Sequence, residues 1–206
     1  MPALRAVLFD LDGVLVDSYE AWFNVVAAAA RHFRKPDITR DHFAKCWGQG
    51  LDADMREFFP GCETRQVQAF YEQHLLDFDA DIRVDEGAAT TLEQLRDADL
   101  LRGIVTNTPT DLARDILAWA GLIGIVDVTV GASPGITPKP APDVILCACR
   151  ELDVEPAQAL VVGDSTFDEQ AAEAARARFV GFGTGKAGSV EALPDVARLV
   201  LEGDAT

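Results

Sequence analysis

The second half of the chain alternates helical patterns with short apolar runs, and this alternation restricts the fold more than any other feature. The helical patterns cover residues 88–97, 110–120, 142–152 and 167–177, and the apolar runs that follow them cover 101–106, 125–130, 159–162 and 179–182. The runs lack polar alternation, as strands do when helices cover both faces of a sheet. With a further apolar run at 3–9, the pattern predicts a doubly wound α/β fold around a parallel sheet.

Residues 16–82 follow a different pattern. Apolar residues recur there at helical spacing, and the pattern predicts about four helices and no strand, with Thr39 and Asp52 as helix caps. Because this block separates the first strand from the others, we interpret it as a cap inserted into one α/β domain. The predicted core is therefore 1–15 and 83–206, and the predicted α-helical cap is 16–82, which we call the helical insert.

Charge and composition exclude several classes of partner. Acidic residues outnumber basic ones by 34 to 18, for a net charge of −16, and no basic cluster could bind nucleic acid. No uncharged stretch approaches the ~20 residues of a membrane span, and the first ten residues do not resemble a signal peptide. The four cysteines form no CxxC pair, which favours reduced thiols in a cytoplasmic protein. The sequence indicates no oligomeric state.

Polar side chains follow the ends of three predicted strands. Asp10 and Asp12 follow the first strand, Thr106 and Asn107 follow the second, and Asp164 follows the fourth. Ligand sites in open α/β sheets lie beyond the carboxyl ends of the strands, where the winding reverses, so we expect these residues to converge. Taken singly, Asp164 is typical of a helix cap and Thr106-Asn107 of a turn.

Asp10 and Asp12 are harder to explain as structural residues. Two carboxylates this close cost free energy unless a cation is bound between them, and Mg²⁺ with oxygen ligands is the cation that fits best. Lys139, which lies between two prolines, and Asp168, four residues after Asp164, are expected at the same edge of the sheet.

Four ordered motifs resemble those of the haloacid dehalogenase superfamily, and the resemblance covers nearly the whole chain. The motifs are Asp10-Leu11-Asp12-Gly13-Val14, Thr106-Asn107, Lys139-Pro140-Ala141-Pro142-Asp143 and Gly163-Asp164-Ser165-Thr166-Phe167-Asp168. The helical insert is similar to the small cap of the phosphoglycolate phosphatase and β-phosphoglucomutase branch. The resemblance implies a Rossmann-like core in which the core strands have the order 5-4-1-2-3.

The physical chemistry and the resemblance agree on Asp10. A carboxylate of ordinary pKa is ionised at neutral pH and can attack phosphorus without a base, forming a phosphoaspartate. Mg²⁺ on Asp10 and Asp164 offsets the charge of the phosphoryl group. The resemblance adds that Asp12 offers its backbone carbonyl to the metal, while its side chain serves as general acid and base.

The remaining core residues support this chemistry. Lys139 offsets negative charge beside the phosphoryl group. The resemblance implies that Thr106 and Asn107 also bind phosphoryl oxygens, and that Asp168 holds Lys139 or a water molecule beside the metal in place.

Differences between this chain and the motifs of other members of the superfamily indicate which reaction to expect. Asp12 argues against dehalogenases and phosphonatases, which lack this aspartate. Mutases of the β-phosphoglucomutase type carry a histidine where this chain has Trp22, and an arginine in the cap loop where it has 48–52. We therefore expect a phosphatase acting on a small phosphorylated metabolite, phosphoglycolate-like or a sugar phosphate. A phosphomutase, and a catalytically silent binding module, remain as alternatives.

The helical insert offers one candidate for substrate specificity. Gly48-Gln49-Gly50 breaks the helical pattern and allows close backbone approach, and the Gln49 amide carries both donors and an acceptor. Gly48 and Gln49 are therefore predicted to contact the substrate, although a plain turn between helices is nearly as good an explanation.

Overall fold

A parallel sheet of five strands forms the centre of the computed structural model, which describes residues 3–203. The strands are β1 (Ala6–Phe9), β4 (Leu101–Pro109), β5 (Val128–Ala132), β6 (Ala159–Gly163) and β7 (Arg178–Gly181). Their order across the sheet is β5-β4-β1-β6-β7, and every neighbouring pair is parallel. Counted over these five strands alone, this is the predicted order 5-4-1-2-3, so the predicted fold class is confirmed.

Helices cover both faces of the sheet. Along β1, Val7 and Phe9 pack into one core while Ala6 and Leu8 pack into the other, as the period of two along a strand requires. Residues of α5 (Ala88–Asp97), α6 (Thr110–Trp119) and α9 (Leu193–Leu201) pack with the first pair, and residues of α7 (Asp143–Glu151) and α8 (Thr166–Ala175) pack with the second. The doubly wound arrangement follows, although the sequence pattern did not predict α9.

The helical insert holds four α-helices, as predicted. They are α1 (Tyr19–His32), α2 (Arg40–Cys46), α3 (Leu51–Glu57) and α4 (Thr64–His74), followed by a 3₁₀-helix over Leu75–Asp81. Thr39 caps α2 by accepting a hydrogen bond from the His42 N–H, as predicted. The prediction of Asp52 as a cap is wrong, because α3 begins directly after Gly50, whose φ of +79° suits glycine.

A short two-stranded ribbon connects the helical insert to the core. β2 (Val16–Asp17) pairs antiparallel with β3 (Arg83–Val84), so the prediction of no strand in this block is wrong at its first two residues. The pairing joins segments far apart in sequence, which a local pattern does not show. The chain thus enters and leaves the helical insert side by side.

The predicted element bounds differ by a few residues in the core. β5 begins at Val128 instead of residue 125, because the Ile125 N–H closes a turn onto the Leu122 carbonyl. Within residues 3–203, no helix combines the length and apolar character needed to cross a membrane. All four cysteines are free thiols.

Candidate active site

The site is built around Asp10, at the carboxyl end of β1. β1 lies between β4 and β6, and the chain winds outward in opposite directions on its two sides, so Asp10 stands where the winding reverses. The Asp10 N–H continues the strand pairing to the Val162 carbonyl, and its Oδ1 accepts a hydrogen bond of 2.8 Å from the Leu11 N–H. The carboxyl group is therefore fixed by the sheet itself.

A buried lysine balances this carboxylate. Lys139 is only 3% exposed, and its ammonium group donates to Oδ1 of Asp10 at 2.8 Å, Oδ1 of Asp168 at 2.5 Å and the Val105 carbonyl at 3.1 Å. An ammonium group has three protons, so these acceptors satisfy it completely. Burial alone would lower the pKa of Lys139, but the facing carboxylates of Asp10 and Asp168 raise it above its ordinary value, which keeps the lysine charged.

Two carboxyl groups at this edge have raised pKa values. Burial raises the pKa of Asp10 well above its ordinary range, although the Lys139 cation acts in the opposite direction. Burial also raises the pKa of Asp164 to about 6, and the nearby Asp168 adds to this. The sequence predicted an ordinary pKa for Asp10. In the protein without a bound cation that prediction is wrong, because burial raises this pKa. A cation at this point would favour the ionised forms.

The arrangement fits a divalent cation. Carboxylate oxygens of Asp10, Asp164 and Asp168 lie within 4.8 Å of one another. Asp168 is already committed, because Lys139 contacts its Oδ1 while the N–H and hydroxyl of Ser165 donate to its Oδ2. Asp10 and Asp164 are therefore the side chains of this cluster that are left available for an ion, and their role as metal ligands remains a prediction.

Gly13 is required beside this cluster. Its φ is +88°, and a Cβ there would come within 2.2 Å of Oδ2 of Asp164. Any other residue would displace this carboxylate or strain the turn after β1.

Three donors hold the Asp12 carboxyl group. The Ser18 hydroxyl donates to Oδ1 at 2.5 Å and the Trp22 indole N–H donates to the same oxygen at 3.0 Å. The Thr108 hydroxyl donates to Oδ2 at 2.7 Å. These donors come from the helical insert and from β4, so the orientation of Asp12 depends on both parts of the molecule.

The end of β4 supplies Thr106 and Asn107, which with Lys139 are the residues predicted to bind phosphate. Thr106 is buried, and its hydroxyl oxygen accepts from the Thr108 N–H at 3.1 Å, which leaves the hydroxyl proton free to donate. The Asn107 amide group instead links two segments: it donates to the carbonyls of Gly48 and Lys139, at 2.8 and 3.0 Å, and accepts from the Lys139 N–H at 2.7 Å. Asn107 therefore positions Lys139 and the 48–50 loop, and a contact with phosphate remains a prediction.

A cavity of about 100 Å³ separates the sheet edge from the helical insert. The sheet-edge wall contains the predicted polar residues, namely Asp10, Asp12, Thr106, Asn107, Lys139 and Asp164, together with Thr108, Pro109 and Ser165. The helical wall is aromatic and apolar except for one carboxyl group, and is formed mainly by Trp22, Phe43, Trp47, Leu51, Asp54 and Tyr71. The predicted core residues converge, with Asp168 directly behind Lys139.

Of the two residues predicted to set substrate specificity, one lines the cavity and the other does not. Gly48 and Gly50 line the cavity, but Gln49 between them does not. Its amide donates at 2.6 Å to the Lys45 carbonyl of the preceding helix. The structure thus brings Gly48 to the site and does not bring the Gln49 side chain there.

Sequence reasoning missed several residues of the site. Ser18 precedes a helix and resembles a cap, yet its hydroxyl bonds Asp12 and makes no capping bond. Thr108 follows Thr106 by two residues at the same strand end, and this spacing could have indicated it. Asp54 and Tyr71 carried no recognisable signal, because a helical pattern does not show which face meets the core.

The fold and site define an α/β enzyme with a carboxylate cluster at the switch point of its sheet. A family model for haloacid dehalogenase-like hydrolases matches residues 7–182, and the chain belongs to this family. The predicted family and the class of hydrolase are confirmed.

Curated relatives and a solved structure agree with this membership. The chain is 32% identical to validoxylamine A 7'-phosphate phosphatase of Streptomyces hygroscopicus, over 87% of this chain and 86% of the relative. It is 33% identical to the plasmid phosphoglycolate phosphatase of Cupriavidus necator, over 82% and 77%. CbbY from Rhodobacter sphaeroides, solved with phosphate, shares the fold with a TM-score of 0.81 and 21% identity, over 95% of this chain and 96% of that one.

Proposed function

We propose that this protein is a magnesium-dependent phosphatase that hydrolyses a small phosphomonoester through a phosphoaspartate on Asp10. The observation that carries the proposal is the buried Asp10 carboxylate, which is held through one oxygen by Lys139 and lies beside Asp164 at the cavity. The names of the curated relatives, phosphatases of small phosphorylated metabolites, support the same reaction class.

Asp10 is suited to be the nucleophile because only one of its oxygens is engaged. Lys139 and the Leu11 N–H both bind Oδ1, so Oδ2 is the atom that attacks phosphorus. In the first step the Oδ2–P bond forms and the bond from phosphorus to the leaving oxygen breaks. In the second, a water oxygen bonds to phosphorus, the Oδ2–P bond breaks, and inorganic phosphate leaves.

Asp12 moves the protons in both steps. It gives a proton to the leaving oxygen in the first step and takes one from the attacking water in the second. Ser18, Trp22 and Thr108 fix its carboxyl group, so the proton transfers do not require it to reorient.

Charge balance explains the need for a metal. Lys139 is already paired with two carboxylates, and each pair of like charges about 4 Å apart costs roughly 4 kcal/mol at an effective dielectric constant of 20. The side chains of Asp10 and Asp164 and the backbone carbonyl of Asp12 would hold Mg²⁺, which would supply positive charge to offset that of the phosphoryl group and its oxygens. Thr106 donates to a phosphoryl oxygen, and Asp168 keeps Lys139 in place.

The helical insert acts as the cap in this proposal. Residues 16–82 close over the core formed by 1–15 and 83–206, exclude water and contact the leaving group. We further propose that the reaction takes place in the cytoplasm, and the four free cysteines support this, because disulfides are rare in reducing compartments.

The alternatives have less support. In the place where the mutases carry a histidine, Trp22 donates its indole proton to Asp12 and cannot accept one. A silent binding module would not need Asp10, Asp12, Lys139 and Asp164 together. A mutase would instead convert a sugar 1-phosphate to the 6-phosphate in the presence of a bisphosphate primer.

The test is phosphate release from p-nitrophenyl phosphate by the purified protein. We expect turnover that requires Mg²⁺, that chelation abolishes, and that Asp10→Asn lowers by at least about 10³-fold. Asp115→Asn removes an exposed carboxylate on α6 and serves as the matched control with unchanged turnover. Turnover that survives exhaustive chelation, or an active Asp10→Asn variant, would overturn the proposal.

A further inference from the structure

The helical wall holds a carboxyl group that the proposed chemistry does not use. Asp54 lies on α3 and lines the cavity among aromatic side chains. The Tyr71 hydroxyl donates to its Oδ2 at 3.0 Å, and the Tyr71 ring packs edge-on against Trp22 with the ring centres 5.6 Å apart. No residue between 3 and 203 donates to the other oxygen, Oδ1, which leaves it to accept from a bound molecule.

No basic side chain of residues 3–203 forms an ion pair with this carboxyl group. Among the described residues, Lys139 is the one basic side chain that lines the cavity, and its three protons are engaged at the sheet edge. The basic side chains nearest in sequence, Lys45 and Arg56, are exposed. A second anionic group on a substrate would therefore meet Asp54 and find no partner of opposite charge.

We propose that the helical wall, through Asp54, selects phosphate esters whose leaving alcohol carries a hydroxyl or ammonium donor and excludes those that carry a carboxylate. This inference rests on the proposed phosphatase function and narrows its substrate class. It favours phosphorylated polyols, sugars or amino alcohols over phosphoglycolate and other phosphorylated acids.

The chemistry of the wall supports this selection. Trp22, Trp47 and Phe43 offer aromatic surface to the carbon skeleton of a sugar-sized group, while Oδ1 of Asp54 accepts one proton from it. Juxtaposed like charges cost several kcal/mol, so a carboxylate facing Asp54 is penalised. Burial raises the pKa of Asp54 to about 7, so the group is mainly ionised at pH 8.

A matched series of substrates tests the inference. Glucitol 6-phosphate, 1-amino-1-deoxyglucitol 6-phosphate and 6-phosphogluconate differ only at the end opposite the phosphate, which carries a hydroxyl, an ammonium or a carboxylate. We expect kcat/KM at pH 8 with Mg²⁺ to be at least about tenfold lower for the carboxylate than for either of the others. The ratio of kcat/KM for glucitol 6-phosphate to that for 1-amino-1-deoxyglucitol 6-phosphate shows whether a hydroxyl or an ammonium donor is preferred.

Two variants assign the effect to Asp54. Asp54→Asn keeps an oxygen for the Tyr71 hydroxyl and removes the charge, so we expect discrimination against 6-phosphogluconate to fall by at least about tenfold. Asp52→Asn makes the same charge change at an exposed position of α3 and should leave the ratio unchanged. A wild-type protein that hydrolyses all three equally, or equal ratios in wild type and Asp54→Asn, would overturn the inference.

The two proposals can fail separately. If p-nitrophenyl phosphate is hydrolysed and the series is not discriminated, only the selection by Asp54 fails. If no substrate is hydrolysed, the phosphatase proposal fails, and calorimetric binding of the same three compounds to wild type and Asp54→Asn still decides the selection. Weaker binding of 6-phosphogluconate that Asp54→Asn relieves supports it, and equal binding contradicts it.

Discussion

The two walls of the cavity place their carboxyl groups in different surroundings. On the sheet-edge wall, Asp10 and Asp168 share the buried ammonium group of Lys139. On the helical wall, the neutral hydroxyl of Tyr71 is the one group of residues 3–203 that donates a hydrogen bond to the Asp54 carboxyl group. The sheet edge is thus arranged to hold a fixed set of charges, whereas the helical wall leaves one acceptor for whatever enters. In the proposals above, the acceptor for selection therefore lies on the helical wall, while the reacting carboxylates lie at the sheet edge, where Ser18 and Trp22 of the helical insert help to orient Asp12.

Breaking the ion pair of the sheet edge should have the largest effect. Lys139→Met leaves the carboxylates of Asp10 and Asp168 buried without a cation, which should lower the free energy of unfolding by about 3–5 kcal/mol. Phosphatase activity should disappear as well. Denaturant unfolding measures the loss.

The control for that variant is an exposed lysine. Lys186 pairs with Glu169 at the surface, so Lys186→Met should cost about 1 kcal/mol at most. If both variants lost the same free energy of unfolding, burial of the Lys139 ion pairs would make no special contribution to stability.

The Asp12→Asn variant tests the proposed role of Asp12 as general acid, a carboxyl group held by donors from both walls. We expect transfer from an alkyl phosphate to slow by about 10²–10⁴-fold, because its leaving oxygen needs a proton. Transfer from p-nitrophenyl phosphate should suffer less, because its leaving group is already stable. Rapid-mixing measurement of the first turnover separates transfer from later hydrolysis, and equal slowing of both substrates would count against the role of Asp12.

The pH dependence of stability should report on the raised pKa of Asp54, the carboxyl group of the helical wall. The pKa of Asp54 is about 7 in the folded protein and about 3.8 in an unfolded chain, so the folded state binds more protons between these values. Stability contributed by this group is present at low pH and is lost as pH rises toward 7. Between pH 4 and pH 8, the free energy of unfolding of Asp54→Asn should therefore rise relative to that of wild type by up to about 4 kcal/mol.

Thermal and denaturant unfolding at several pH values check this expectation. The other buried carboxylates are common to both proteins and cancel in the difference. A difference that stays constant with pH would mean that Asp54 is ionised throughout the range.

The smallest effect is expected at Gln49. Its amide bonds the Lys45 carbonyl and does not line the cavity, so Gln49→Ala should change kcat/KM by less than about threefold for every substrate. The Asp54→Asn variant provides the comparison. A tenfold, substrate-dependent loss in Gln49→Ala would restore the specificity role that the sequence predicted.

The sequence determined the core and its polar edge because these depend on short-range patterns. Continuous apolar runs predicted the parallel sheet, and Asp10, Thr106 and Asp164 were placed together because parallel strands end at a common edge. The spacing of Lys139 and Asp168 matched a family pattern, and the structure joins them in one ion pair. These predictions needed only local structure and one rule of topology.

Tertiary structure decided what the helical insert contributes. The β2–β3 ribbon, the Trp22–Asp12 hydrogen bond and the Asp54–Tyr71 pair each join residues whose contact depends on how helices pack. A period of 3.6 residues shows that a helix has an apolar face, but neither its partner nor its rotation against the sheet. The sequence therefore predicted which polar residues meet at the sheet edge, and the packing of the helical insert decided which side chains line the opposite wall of the cavity.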